Sequence, residues 1–123
     1  MSTKSLVLLL ALLVALTCGQ INAEEAAPNQ AQTYYVIPIK GVIGSDFTTG
    51  QMRAYLKDVE RLKPTVVVLE LDTGGGDIND AEGLVDLIIE HKDLEFVALV
   101  QKALSAGAAI TLACKDIYVT EKA

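Results

Sequence analysis

Hydrophobic and polar positions fall in blocks along this chain, and the period of each block predicts an element. Leu6 to Thr17 is rich in Leu, Val and Ala and follows a single charge at Lys4. A comfortable membrane span needs about 20 apolar residues, so this shorter run suits the h-region of a secretory signal. Ala23 offers the small residue at a cleavage position, and residues 1–23 are expected to leave as a signal peptide. The competing readings are an uncleaved membrane anchor and lipidation at Cys18, where Leu16 stands one place too close to the cysteine.

Residues 24–33 are polar, carry Pro28 and Asn29, and show no hydrophobic period, which predicts a flexible linker. The pattern then changes to Tyr-Tyr-Val-Ile-Pro-Ile-Lys-Gly-Val-Ile, a strand from Tyr34 to near Gly44. Pro38 cannot donate to a ladder, so the strand is expected at a sheet edge or with a bulge there. Thr48 and Gln51 have capping-box spacing, and Met52, Tyr55, Leu56, Val59 and Leu62 follow at helical intervals until Pro64.

Thr65 to Leu71 is almost continuously apolar, as in a strand covered on both faces, and Gly74-Gly75-Gly76 is expected to break it. From Asp77 a second helical pattern sets Ile78, Ala81, Val85, Ile88 and Ile89 on one face and ends near His91. Phe96 to Val100 reads as a short buried strand, Ser105 to Cys114 as a helix of small residues, and Ile117 to Val119 as a last strand. Strands alternating with helices at this spacing predict an α/β class with a parallel sheet of right-handed βαβ units.

Charge narrows the function. Loss of Lys4 with the leader takes the balance from −6, with 10 basic and 16 acidic residues, to −7. A negative balance spread along the chain argues against a nucleic-acid partner, which needs cations to neutralise phosphates. Cys114 would then be the one cysteine left, which rules out an intramolecular disulfide and favours a buried structural thiol.

Sites of α/β units gather at the carboxyl ends of strands. Two loops stand there: Asp72-Thr73-Gly74-Gly75-Gly76-Asp77, and Ala103-Leu104-Ser105-Ala106-Gly107-Ala108. Consecutive glycines allow positive φ and close approach, leaving N–H groups free for an acceptor. A serine opening a helix has free N–H groups beside its hydroxyl. Acyl transfer requires this combination of a nucleophile and backbone donors for the oxyanion. Taken singly, each loop has an ordinary explanation, a tight turn for the glycines and an N-cap for the serine. Phosphate and dinucleotide loops fail, because no lysine follows the glycines and the third spaced glycine is missing.

The strand Val66 to Leu71, the Asp72 to Asp77 loop, Leu104-Ser105-Ala106-Gly107-Ala108-Ala109-Ile110 and Asp116-Ile117-Tyr118-Val119, in that order, resemble the Clp protease/crotonase superfamily. Within it the likeness is to the NfeD-type membrane-bound serine proteases and the signal peptide peptidase A type, over roughly residues 34–121. Tyr35 to Ile43 resembles the first strand of the NfeD type. The resemblance implies that residues 34–123 are the N-terminal part of a Clp-like serine protease domain, with Ser105 as nucleophile. It implies oxyanion donors at the backbone N–H of Ala106 and at one of Gly75 and Gly76. Gly74 departs from the proline common at that place, a loss of about 1 kcal/mol of preorganisation.

The resemblance also implies a lysine base, or a histidine and aspartate as in the cytosolic Clp subunit, placed after the segment like Asp116 to Val119. The chain is therefore expected to stop before its base, with an incomplete sheet and little activity alone. His91 is expected at a helix end remote from Ser105, Lys102 is explained by strand alternation, and Lys115 and Lys122 lie past the Ser105 helix. Asp72 and Asp77 are expected to orient the loop or cap the helix. The reading is an exported serine endopeptidase acting on peptide or membrane-protein substrates, with no cofactor and no metal. Membrane association is expected through a region after the C-terminus, and self-assembly through helix faces. The alternative is a non-catalytic binding or assembly module; a crotonase-like acyl-CoA enzyme conflicts with export.

Overall fold

The computed structural model describes residues 32–121, so the leader and most of the linker expected at residues 24–33 lie outside the described residues. The elements run β1 (Tyr34–Ile43), α1 (Thr49–Leu62), β2 (Val66–Gly76), α2 (Ile78–Glu90), β3 (Glu95–Ala103), α3 (Ala106–Leu112) and β4 (Asp116–Val119). Every strand pairing is parallel and the order is β1-β2-β3-β4, so the expected α/β class and parallel sheet are found. Right-handed crossovers between consecutive parallel neighbours put all the connecting helices on one face of the sheet.

Alternation then decides the core. Ile37 and Ile39 of β1, Val67, Leu69 and Leu71 of β2, and Phe96, Ala98 and Val100 of β3 point to the helices and join one buried cluster. The helices supply Met52, Leu56 and Val59, then Ala81, Leu84, Leu87 and Ile88, then Ile110. Tyr34 and Val36, on the opposite face, are exposed. Among the described residues nothing covers that face, so the expectation of a β2 covered on both sides is corrected. Val68 lies in an open depression with Tyr34, Val36 and Leu99. Lys40 pairs with Glu70 at 3.2 Å, and Gln101 donates to the same carboxylate at 2.6 Å.

Local chemistry sets the element ends. Thr48 Oγ1 accepts from Gln51 N–H at 3.3 Å while Thr48 N–H donates to Gln51 Oε1 at 2.8 Å, the capping box read from the sequence. Lys63 ends α1 in the left-handed region, one residue before Pro64. Leu62, expected on the buried face, is exposed in this last turn. Pro38 does sit on an edge strand, but the register shift falls between Lys40 and Val42, at Gly41 with φ +80°.

Two other expectations are corrected. The glycines do not break β2, because Gly75 and Gly76 continue the ladder opposite Val42 and Ile43. On α2 the buried residues are Ala81, Leu84, Leu87 and Ile88, while Ile78 and Ile89 are exposed. Apolar residues run around more than half of this helix, so its period alone does not select the stripe that meets the sheet.

Candidate active site

Ser105 occupies the turn between β3 and α3 with φ 51° and ψ −117°. Among the described residues the one other non-glycine with positive φ is Lys63, which serves as an ordinary left-handed helix cap. A serine held in so sparsely populated a region stores strain of about 1–3 kcal/mol. The exposed side chain makes no capping hydrogen bond, so the N-cap explanation of this serine is not what the structure contains. The turn is closed instead by backbone bonds, with Gly107 N–H donating to Leu104 O at 2.9 Å and Ala108 N–H to Ser105 O at 3.0 Å. Ala106 N–H makes no such bond among the described residues.

The glycine loop lies directly against this turn. A β-carbon built on Gly75, whose φ is +103°, would stand 2.8 Å from Ser105 Cβ and 3.3 Å from Ala106 N. Glycine is therefore required both for its backbone angle and for the space that Ser105 fills. Gly74 meets nothing within 4 Å and lacks a positive φ, so a β-carbon has room there.

Thr73, which sequence reasoning passed over, organises the loop. It is almost wholly buried at 1% exposure. Its Oγ1 donates to Gly41 O at 2.6 Å and accepts from Gly75 N–H at 3.0 Å. Its methyl fills the space beside Gly107, where an added β-carbon would come within 2.6 Å of Cγ2. One side chain thus ties the end of β1, the glycine loop and the glycine of Ser-Ala-Gly. A hydroxyl directly before the glycines was the available signal, but Gly41 and Gly107, which make it a hub, are 32 and 34 positions away.

Ser105 also forms part of the wall of a groove of about 630 Å³ between α2 and α3, whose apolar lining includes Ile78, Ala81, Val85 and Ala109. A separate depression of about 550 Å³ on the other side of the loop holds Lys102, Asp72 and Leu104. Of the remaining basic residues considered, His91 and Lys115 are engaged elsewhere. His91 follows α2, at the opposite end of the strands, with Nδ1 2.8 Å from Leu87 O and Nε2 3.8 Å from Glu60. Lys115 pairs with Glu95 at 2.8 Å, which raises its pKa. Lys122 lies outside the described residues. Asp77 caps α2 by accepting from Asp80 N–H at 3.0 Å. Burial pushes the Cys114 thiol up to about 11, and its Sγ donates to Ile110 O at 3.6 Å, as suits a structural thiol. Among the described residues, no group of His, Cys, Asp and Glu could hold a metal ion, and no helix is long and apolar enough to cross a membrane.

Residues 33–123 match the family described as NfeD1b, N-terminal domain. The chain belongs to that family. This NfeD1b N-terminal domain is 34% identical over 108 residues to the membrane protein NfeD1b of Bacillus subtilis (strain 168), covering 87% of the chain and 23% of that relative. Three solved structures share its fold at 26% identity. One, a lysine-to-alanine mutant of the 1510-N membrane-bound stomatin-specific protease in complex with a substrate peptide, gives a TM-score of 0.65 over 74% of this chain and 42% of that one. A serine-to-alanine mutant of the same protease gives 0.61 over 72% and 44%. The 1510-N membrane protease specific for a stomatin homolog from Pyrococcus horikoshii gives 0.57 over 70% and 44%. The resemblance to the NfeD type is thus borne out for family and fold. The chain spans about a quarter of the curated relative and under half of each solved protease.

Proposed function

We propose that this domain carries the nucleophile and oxyanion hole of a membrane-associated serine endopeptidase. The observation that carries the reading is Ser105 itself: strained, exposed, free of any capping bond, and pressed against Gly75. In the reaction, Ser105 Oγ attacks the scissile carbonyl and its proton passes to a base, while backbone N–H groups receive the charge on the carbonyl oxygen. Gly75 N–H is occupied by Thr73, so the donors are Ala106 and Gly76. Asp77 N–H donates to Ile43 O on β1, and successive N–H groups of a strand alternate in direction, which turns Gly76 N–H away from β1.

The base is a lysine supplied from outside the described residues. Solved relatives substituted at a serine and at a lysine, the latter holding a substrate peptide, support a serine and lysine pair and a peptide substrate. The names of the relatives support action at a membrane. Export on a cleaved leader of residues 1–23 completes the reading, and an intact Met1 on the mature protein would remove it. A serine-reactive phosphonate tests the chemistry. It is expected to leave the 123-residue chain unlabelled and to label Ser105 in a form extended beyond Ala123, with no labelling after Ser105→Ala. Labelling of the short chain would overturn the placement of the base, and failure in the extended form would overturn the nucleophile.

A non-catalytic peptide-binding module is the second reading. It is favoured by the groove beside Ser105, whose other described lining side chains are apolar or acidic, with no basic one.

A further inference from the structure

The groove between α2 and α3 has a chemistry that the nucleophile does not explain. Its floor and walls are apolar, with Ile78, Ala81, Val85 and Ala109, and Ser105 sits at one side. Ala106 completes the apolar lining, and the two charged lining residues, Glu82 and Asp86, are both exposed acids. They stand one helical turn apart on α2, where like charges repel and cost the helix stability. Neither makes a salt bridge among the described residues. Their surroundings intensify the field. The sequence of α2 contains Asp80, Glu82, Asp86 and Glu90 and no lysine or arginine, and α3, the facing helix, is uncharged. Asp80 differs from Glu82 and Asp86 in having work inside the fold, since its Oδ1 accepts from both Thr49 N–H and Thr49 Oγ1 at 2.9 Å.

We propose that this groove is the subsite for a lysine or arginine side chain of the peptide that reaches Ser105. The proposal rests on the peptidase reading and names what that site selects. A basic side chain has an aliphatic stem that can lie along apolar surface while its cationic head stays at the wet rim. The stem fits Ala81, Val85 and Ala109, and the head reaches Glu82 and Asp86, whose mutual repulsion it relieves. An acidic side chain in the same place would add a third negative charge. A purely aliphatic one would fill the walls and leave both carboxylates as they are. The cation is thus selected by charge complementarity as well as by shape.

Binding to the chain itself tests this without requiring turnover. Fluorescent peptides identical except for one central residue (lysine, norleucine or glutamate) are titrated by anisotropy. The lysine peptide is expected to bind about fivefold more tightly than the norleucine peptide, as suits exposed carboxylates, and the glutamate peptide most weakly. The Glu82→Gln/Asp86→Asn double variant should equalise lysine and norleucine, as should about 0.5 M salt. Ala109→Arg, which places a cation at the rim from an exposed position, should weaken the lysine peptide most. Equal affinity for all peptides, no binding by any of them, or a lysine preference that survives the double variant would each overturn the subsite. Phosphonate labelling of Ser105 in the extended form reports on hydrolysis separately. Labelling without a lysine preference overturns the subsite alone, and a lysine preference without labelling overturns the hydrolytic reading alone.

Discussion

Gly75 and Ser105 share one volume: the place a β-carbon would take on Gly75 is 2.8 Å from Ser105 Cβ and 3.0 Å from Leu104 O. The two loops therefore cannot be altered independently. Gly75→Ala must both adopt φ near +103° and displace the serine turn, and it is expected to destabilise the fold by about 1–3 kcal/mol in urea titration. Gly74→Ala, one residue earlier, meets open space at a permitted angle and should stabilise by about 0.5 kcal/mol through the unfolded state. Equal midpoints for the two variants would mean that the loops do not touch in solution.

Ser105 separates a strained functional residue from a capping one. Its hydroxyl makes no capping bond, so Ser105→Ala should change stability by less than about 0.5 kcal/mol. Ser105→Gly, which relieves φ 51°, should raise stability by about 1 kcal/mol while removing the nucleophile. A working N-cap behaves in the opposite way, with the alanine variant losing about 1 kcal/mol. Thermal melting of the two variants beside the parent decides between these patterns.

The contrast between these residues shows what the sequence could convey. Periodicity and capping chemistry are local, so the capping box at Thr48 and Gln51, the Asp77 cap and the α/β order were legible without a structure. The order of the two loops was legible too, and placed Ser105 and the glycines at the same ends of their strands. Thr73 was not, because its function is a set of contacts across 32 and 34 positions with Gly41 and Gly107. The bare face of β2 was misread for a related reason. Val66, Val68 and the buried Val67, Leu69 and Leu71 look alike in a list of apolar residues, whereas coverage depends on elements elsewhere. The buried stripe of α2 was ambiguous because Leu84 and Leu87 compete with Ile78 and Ile89 for one face, and the packing against the sheet resolves it.

Asp80 makes acid stability measurable at one contact. Hydrogen bonds from Thr49 N–H and Thr49 Oγ1 hold its carboxyl below the ordinary value. A folded pKa below the unfolded one means that the unfolded state binds the proton first. The stabilisation is therefore present above the unfolded value of about 4 and fades as pH falls through the folded one. Urea midpoints of the parent and Asp80→Asn should differ near neutrality and converge in strong acid. A difference that stays constant from about pH 6 to about pH 2.5 would show that the carboxylate charge has no part in joining the starts of α1 and α2.

Thr73 gives the most demanding test of how the site is assembled. Thr73→Val keeps the methyl that packs against Gly107 but removes the oxygen that links Gly41 O and Gly75 N–H. Two backbone groups beside a buried side chain then lose their partner, at a cost of about 1–3 kcal/mol. Thr73→Ser makes the reverse change, keeping both hydrogen bonds and losing one methyl, for about 1 kcal/mol. If the oxygen sets the loop geometry, phosphonate labelling of Ser105 in the extended form falls at least about tenfold for the valine variant and is largely retained by the serine variant, whichever is the more stable. Labelling that simply follows the stability of the two variants would reduce Thr73 to a packing residue, and would leave the Gly75 loop to be held by its ladder to Val42 and Ile43 and by its contact with Ser105 and Leu104.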